Sequence, residues 1–174
     1  MEVLVPGKVL RLGDVPPGGV IGFFDGGRYV RFLRTSTENA EKDHVAIVSL
    51  GPFADVEYQA HVQGPTVYFW DADDKVVYEE KTAIAPKLDT MVDPSAQYMK
   101  LGAIVMSKTG QVCLLCRTPR AGRALVDLSS GETIRDNSAV VVYEQYVLVT
   151  PCEESKTRVI FDSTEQVTVV STAA

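Results

Sequence analysis

Apolar residues recur along this chain in short runs that Gly, Pro, Asp and Ser interrupt. The runs VIGFF (20–24) and RYVRFL (28–33) flank Asp25, Gly26 and Gly27, a three-residue hairpin loop whose residues accept positive φ. DVEYQAHV (55–62) alternates, with Val56, Tyr58, Ala60 and Val62 on one face and Glu57, Gln59 and His61 on the other. That period predicts a half-buried strand. TVYFW (66–70) and KVVYEEK (75–81) enclose a turn at Asp71, Ala72, Asp73 and Asp74. AIVM (103–106), QVCLLC (111–116), ALVDL (124–128), AVVVYEQYVLV (139–149), TRVIF (157–161) and QVTVVS (166–171) read as strands on the same grounds. The helical signal is faint. Thr35 and Glu38 have capping-box spacing in TSTENAEKDH (35–44), but no apolar face follows, so a polar loop with room for one helical turn is expected there.

The runs come in a repeated order. LRLG (10–13) has a counterpart in MKLG (99–102), a Gly-bearing turn follows each, and VIGFF falls on QVCLLC. AIVSL (46–50) then matches ALVDL, and VYFWDADDKVVY (67–78) aligns with RVIFDSTEQVTVV (158–170). Self-similarity in fixed order points to a duplicated β-unit. The predicted class is therefore all-β: two tandem SH3-like or partly open small barrels over 1–85 and 98–174, joined by a proline-bearing linker at 86–97. The alternative is a single β-sandwich to which each copy contributes one sheet.

The combination of a Lys- or Arg-Leu-Gly step, a glycine turn, an apolar strand and Ala-x-Val-x-Leu-x-x-Gly-Glu resembles small uncharacterised β-barrel modules encoded by bacteriophages. The match is best at Leu101, Gly102 and Ala124 to Glu132; in the first copy Pro52 and Phe53 stand in place of the Ser-Gly-Glu turn. These motifs are turn chemistry and carry over no catalytic residue. What the resemblance implies is a context, a viral accessory or virion component.

Charge narrows the function classes. With 23 acidic against 17 basic residues the chain has net charge −6, which argues against sequence-blind nucleic-acid binding. The start, MEVLVPGKVLRLGD, carries Glu2 and breaks at Pro6, so no signal peptide is expected, and the apolar runs fall short of a membrane span. Three cysteines without a framework spacing suit a reducing cytoplasm or a particle assembled there.

Little in the chain suggests catalysis. Cys113 and Cys116 have Cys-x-x-Cys spacing, but residues three apart on a strand point to opposite faces, so their sulfurs should diverge as buried thiols. Neither His44 nor His61 accompanies a nucleophile elbow. Asp71, Asp73 and Asp74 lack the spacing of a calcium loop and read as a soluble turn, so no metal or cofactor is expected.

Two features suit docking. No Asp or Glu occurs between Pro94 and Val126, yet Lys100, Lys108, Arg117, Arg120 and Arg123 lie there, a candidate anion-facing or protein-docking patch. Tyr68, Phe69 and Trp70 are consecutive, so at least one faces out of its strand as a candidate interface anchor. The expected role is a non-enzymatic assembly or protein-binding module, homo-oligomeric or attached to a larger assembly such as a capsid or tail. The alternative is a β-barrel binding a small molecule or glycan along Trp70, Tyr68 and His61.

Overall fold

The first hairpin forms where the glycines stand. Asp25 pairs with Arg28, so Asp25 belongs to the strand rather than to the loop, and Gly27 sits at φ +81°. The computed structural model describes residues 7–25, 27–39, 43–51, 64–94, 99–119, 122–134, 139–151 and 157–163, and among them there is no α-helix. The predicted strands DVEYQAHV and QVTVVS lie outside the described residues.

Six strands of the first part form one antiparallel sheet: β1 (Lys8–Arg11), β2 (Val20–Asp25), β3 (Arg28–Asn39), β4 (His44–Ser49), β5 (Val67–Asp71) and β6 (Lys75–Tyr78). Their order is β1-β6-β2-β3-β4-β5. A seventh strand, β7 (Ala83–Pro86), leaves that sheet. The second part then supplies β8 (Met91–Val92), β9 (Ile104–Ser107), β10 (Val112–Thr118), β11 (Gly122–Asp127), β12 (Thr133–Ile134) and β13 (Ala139–Tyr143), followed by β14 (Tyr146–Pro151) and β15 (Thr157–Asp162). The second sheet runs β12-β11-β10-β9-β13-β8.

Taken from its other edge, the second sheet repeats the first strand for strand: first, sixth, second, third, fourth, fifth. The seventh strands of the two parts, β7 and β14, pair with each other antiparallel, and β15 covers the far side of β14. The repeat extends to single hydrogen bonds. The Gly18 N–H donates to the Arg34 carbonyl and Arg34 returns one to Gly19, just as Gly102 donates to Leu115 and Leu115 returns one to Ala103. Gly18 and Gly102 both sit at positive φ, +81° and +91°.

This register fixes which segments correspond. Leu33 faces Val48 on β4, and Leu114 faces Val126 on β11, so AIVSL and ALVDL occupy the same station. Other pairings read from the sequence are corrected. Val20 faces Leu33 and Ile104 faces Leu114, so the counterpart of VIGFF is β9, while QVCLLC corresponds to β3. The counterparts of β5 and β6 are β12 and β13, not the later segment at 158–170.

Three further expectations change. The polar stretch from Thr35 is not a loop: β3 continues to Asn39 and stays paired with β4 through a bulge between Arg34 and Glu38. Thr35 anchors it by donating its hydroxyl to the Ala46 carbonyl at 2.9 Å. AVVVYEQYVLV is not one strand, because residues 144–145 separate β13 in the second sheet from β14 in the third. Finally, neither six-stranded sheet closes into a barrel. The edge strand of each is met by the opposite half: Thr66, just before β5, forms a parallel bridge with Arg117 on β10, and the Ser36 N–H of β3 donates to the Gly131 carbonyl before β12.

The apolar side chains sort accordingly. Val20, Leu33, Ala46, Val48, Leu50 and Val67 from the first part pack with Ile104, Leu114, Cys116, Val126, Tyr146 and Leu148 from the second in one cluster. The other face of each sheet has its own smaller cluster, around Ile21, Phe32 and Ile47 in the first and Val105, Leu115 and Leu125 in the second. Units of this size bury a marginal core alone, and a common cluster enlarges it.

Candidate docking surface

The strand register decides which cationic residues meet. On β10 and β11, Arg117 is the direct cross-strand partner of Arg123. Their Cβ atoms therefore stand on one face, about 5 Å apart for such a pair. Both residues are exposed. Arg123 is steered by an Nη1–H that donates to the Met99 carbonyl at 2.7 Å. Arg117 is held through its backbone, whose N–H donates to the Pro65 carbonyl, and among the described residues its guanidinium has no ion pair or hydrogen bond.

Lys100 follows Met99 and belongs to the same end of the sheet, its Nζ lying 3.1 Å from Glu144 Oε2. Lys108 does not join them. It occupies the turn after β9, at the other end of β10, and five residues of strand, roughly 17 Å, separate Val112 from Arg117. Arg120 lies outside the described residues.

The aromatic run divides by alternation. Tyr68 and Trp70 turn onto the first sheet's own cluster, where Trp70 lies 4.4 Å from Phe23 and 5.2 Å from Phe32 between ring centroids. Tyr68 meets Phe32 edge-on at 6.4 Å. Phe69 is the outward ring, 41% exposed. Arg117, bridged to Thr66, stands on the side of β5 that carries Thr66 and Tyr68; Phe69 points to the other side. The cationic pair and the exposed ring thus mark two faces of one strand junction.

Groups that could carry chemistry are engaged structurally. Cys113 packs in the second sheet's own cluster and Cys116 in the common one, on opposite faces as strand alternation predicts. Burial pushes the Cys113 thiol up to about 11, with the Asp127 charge adding to it, and the Cys116 thiol up to about 12. Asp71 accepts the Asp73 N–H at 2.9 Å, an ordinary aspartate turn, and Asp73 lies 3.3 Å from Arg11. No cluster of His, Cys, Asp and Glu with metal-ligand geometry occurs among the described residues. Among the described residues no helix is long and apolar enough to cross a membrane. His44 opens β4, half-buried; His61 and Cys152 lie outside the described residues.

Two buried ionic groups escaped the sequence reading. Glu79 is 2% exposed and accepts from Arg31 Nε at 2.9 Å and from the Thr82 hydroxyl at 2.8 Å. Their separation in sequence gave no signal. Asp127 accepts on one oxygen from the backbone and hydroxyl of both Ser129 and Ser130. Burial works against its ionisation, but these four donors outweigh it and hold the carboxyl below its ordinary value. Asp-Leu-Ser-Ser-Gly was the visible sign of this turn. Compared with known proteins, the chain matches no family model, no curated protein and no solved structure.

Proposed function

We propose that this chain is a non-enzymatic assembly or protein-binding module that docks through the end of the second sheet bearing Arg117, Arg123 and Lys100. One observation carries the reading. Two exposed arginines stand directly opposite each other on a sheet, which concentrates positive charge at that end of β10 and β11. A partner surface that brings negative charge is complementary to it. Arginine is among the side chains that interfaces favour.

The resemblance to phage-encoded modules belongs to the same proposal: a capsid- or tail-attached component uses such a surface to join copies or to bind a larger particle. The glycan-binding alternative draws less support, since Tyr68 and Trp70 are committed to packing on Phe32 and Phe23. Sedimentation velocity over a concentration series tests the self-assembling form. A concentration-dependent rise in sedimentation coefficient that Arg117→Glu removes is the expected result. A wild-type chain that sediments as one monomer throughout removes the homo-oligomer.

A further inference from the structure

The two repeats meet as the subunits of a two-fold dimer do, and the geometry points to a second copy of this chain as a partner, bound by exchange. The first repeat of one copy closes on the second repeat of the other. This contact is independent of the charged surface on β10 and β11.

The symmetry is set by the backbone. Glu79 and Tyr143 hold matching stations, beside Val20 and Ile104 at the starts of β2 and β9. The same step along the chain makes Ala83, Ile84 and Ala85 the counterparts of Val147, Leu148 and Val149. Ile84 pairs with Leu148, its own counterpart, while Ala83 pairs with Val149 and Ala85 with Val147. That reciprocity places a local two-fold axis between Ile84 and Leu148. A second junction obeys the same relation. The Ser36 N–H donates to the Gly131 carbonyl of the second repeat, and Arg117, its counterpart on β10, donates to Pro65 of the first. Pro65 and Gly131 correspond because Ser49 donates to Thr66 as Asp127 donates to Glu132. Each repeat thus gives the other what it receives, as in an isologous contact.

One connection joins the halves. β7 ends at Pro86 and β8 begins at Met91. Between them Thr90 turns the chain by donating its N–H and hydroxyl to the Lys87 carbonyl at 3.0 and 2.6 Å. Both bonds lie within the connection, so straightening it breaks nothing between the repeats. The common cluster, the β7–β14 ladder and the second junction form equally well with the other copy's repeat. A repeat of this size buries a marginal core alone, so an opened chain gains by closing on another. Short connections that must turn favour such exchange. Leu88 and Met91, 72% and 63% exposed here, then face the same residues of the second copy where the two straightened connections run side by side.

Refolding the full chain from urea over a concentration series, followed by size-exclusion chromatography, tests the exchange. The expected product is a dimer whose share grows with refolding concentration. It should persist on dilution, because release requires the common cluster to open. Ala83→Cys with Val149→Cys reports which chains pair: direct cross-strand partners have Cα atoms about 5 Å apart, within disulfide reach. After oxidation the dimer fraction should run as a covalent dimer on a non-reducing gel, and the monomer fraction as a monomer. Ala83→Cys alone sets the background from Cys113, Cys116 and Cys152. Deleting Leu88 and Asp89 should raise the dimer-to-monomer ratio at least about tenfold. A flexible Gly-Ser insertion after Asp89 should lower it.

Three outcomes overturn the exchange: monomer alone at every refolding concentration in both the wild-type and the shortened chain, a dimer whose cysteines link within each chain, or a dimer share that the insertion leaves unchanged. If the shortened chain fails to fold, the cysteine pair and the insertion decide. Arg117→Glu should leave the exchanged dimer intact. The docking reading is tested on chains that were never unfolded, so the two fail separately.

Discussion

Asp127 and Glu79 show how one residue settles the local design of each repeat. Asp127 stands where the first repeat has Ser49, facing Cys113 as Ser49 faces Phe32. Both side chains anchor backbone N–H groups beyond the end of their strand: Ser49 Oγ accepts from the Thr66 N–H, and Asp127 gathers Ser129 and Ser130. Asp127→Ala leaves those donors without their acceptor and should cost about 1–3 kcal/mol in urea unfolding at neutral pH. Because the folded carboxyl is held below its ordinary value, its contribution is present above the unfolded-state value, near 3.9. It is lost as pH falls through the lower, folded value, so the gap between wild type and Asp127→Ala should narrow only below about pH 4. At the Arg31–Glu79 pair the repeats differ instead. The Leu50 N–H donates to Arg31 as Leu128 donates to Val112, and Glu79 meets Val20 as Tyr143 meets Ile104. The second repeat thus places Val112 and Tyr143 where the first has an ion pair. Glu79→Ala alone should cost about 3–5 kcal/mol, by leaving the partly buried Arg31 without its partner. Arg31→Val combined with Glu79→Tyr should recover most of that loss, measured by the same unfolding curves.

Among the elements, those with clean apolar alternation and glycine turns were legible in advance. The β2–β3 hairpin, β5, β9, β10 and β11 fall where their runs predict, since each buries one or both faces in a pure apolar cluster. The far end of β3 was not legible, because its polar side chains carry no burial signal and only pairing with β4 makes it a strand. β8, two residues long, and the break between β13 and β14 were hidden for a related reason: sheet membership is a long-range property. The cationic candidates were visible as residue types, yet only register separates Lys108 from Arg117 and Arg123. The contact between repeats can be tested at one glycine. A Cβ on Gly18 would lie 2.5 Å from the Ser129 carbonyl oxygen of the other repeat, whereas a Cβ on Gly27 meets nothing within 4 Å, and both have φ +81°. Gly27→Ala should lose about 1–2 kcal/mol from backbone conformation. Gly18→Ala should lose clearly more in thermal unfolding, because the two backbones must also separate.

At the scale of the whole molecule, the common cluster determines how the two repeats share stability. Leu33 and Leu114 occupy matching stations on β3 and β10, both at 0% exposure and both inside that cluster. Either leucine cut back to alanine should destabilise the chain by about 2–5 kcal/mol. The diagnostic feature is where the loss is felt. If each sheet were stable on its own, Leu114→Ala would raise amide exchange in β9 to β11 and leave β2 to β4 unchanged. A cavity in the common cluster instead removes packing partners from Val48, Val67 and Leu33 as well, and the β7–β14 pair links the two repeats by backbone hydrogen bonds. Hydrogen exchange of Leu114→Ala should therefore show faster exchange on β3 and β4 as well as on β10, with one unfolding transition in denaturant. Leu125→Ala removes a side chain from the second sheet's private cluster, so its effect on β3 and β4 should be smaller for an equal loss of stability. Equal protection of the first sheet in wild type and Leu114→Ala would mean that the repeats fold as separate bodies despite their common cluster.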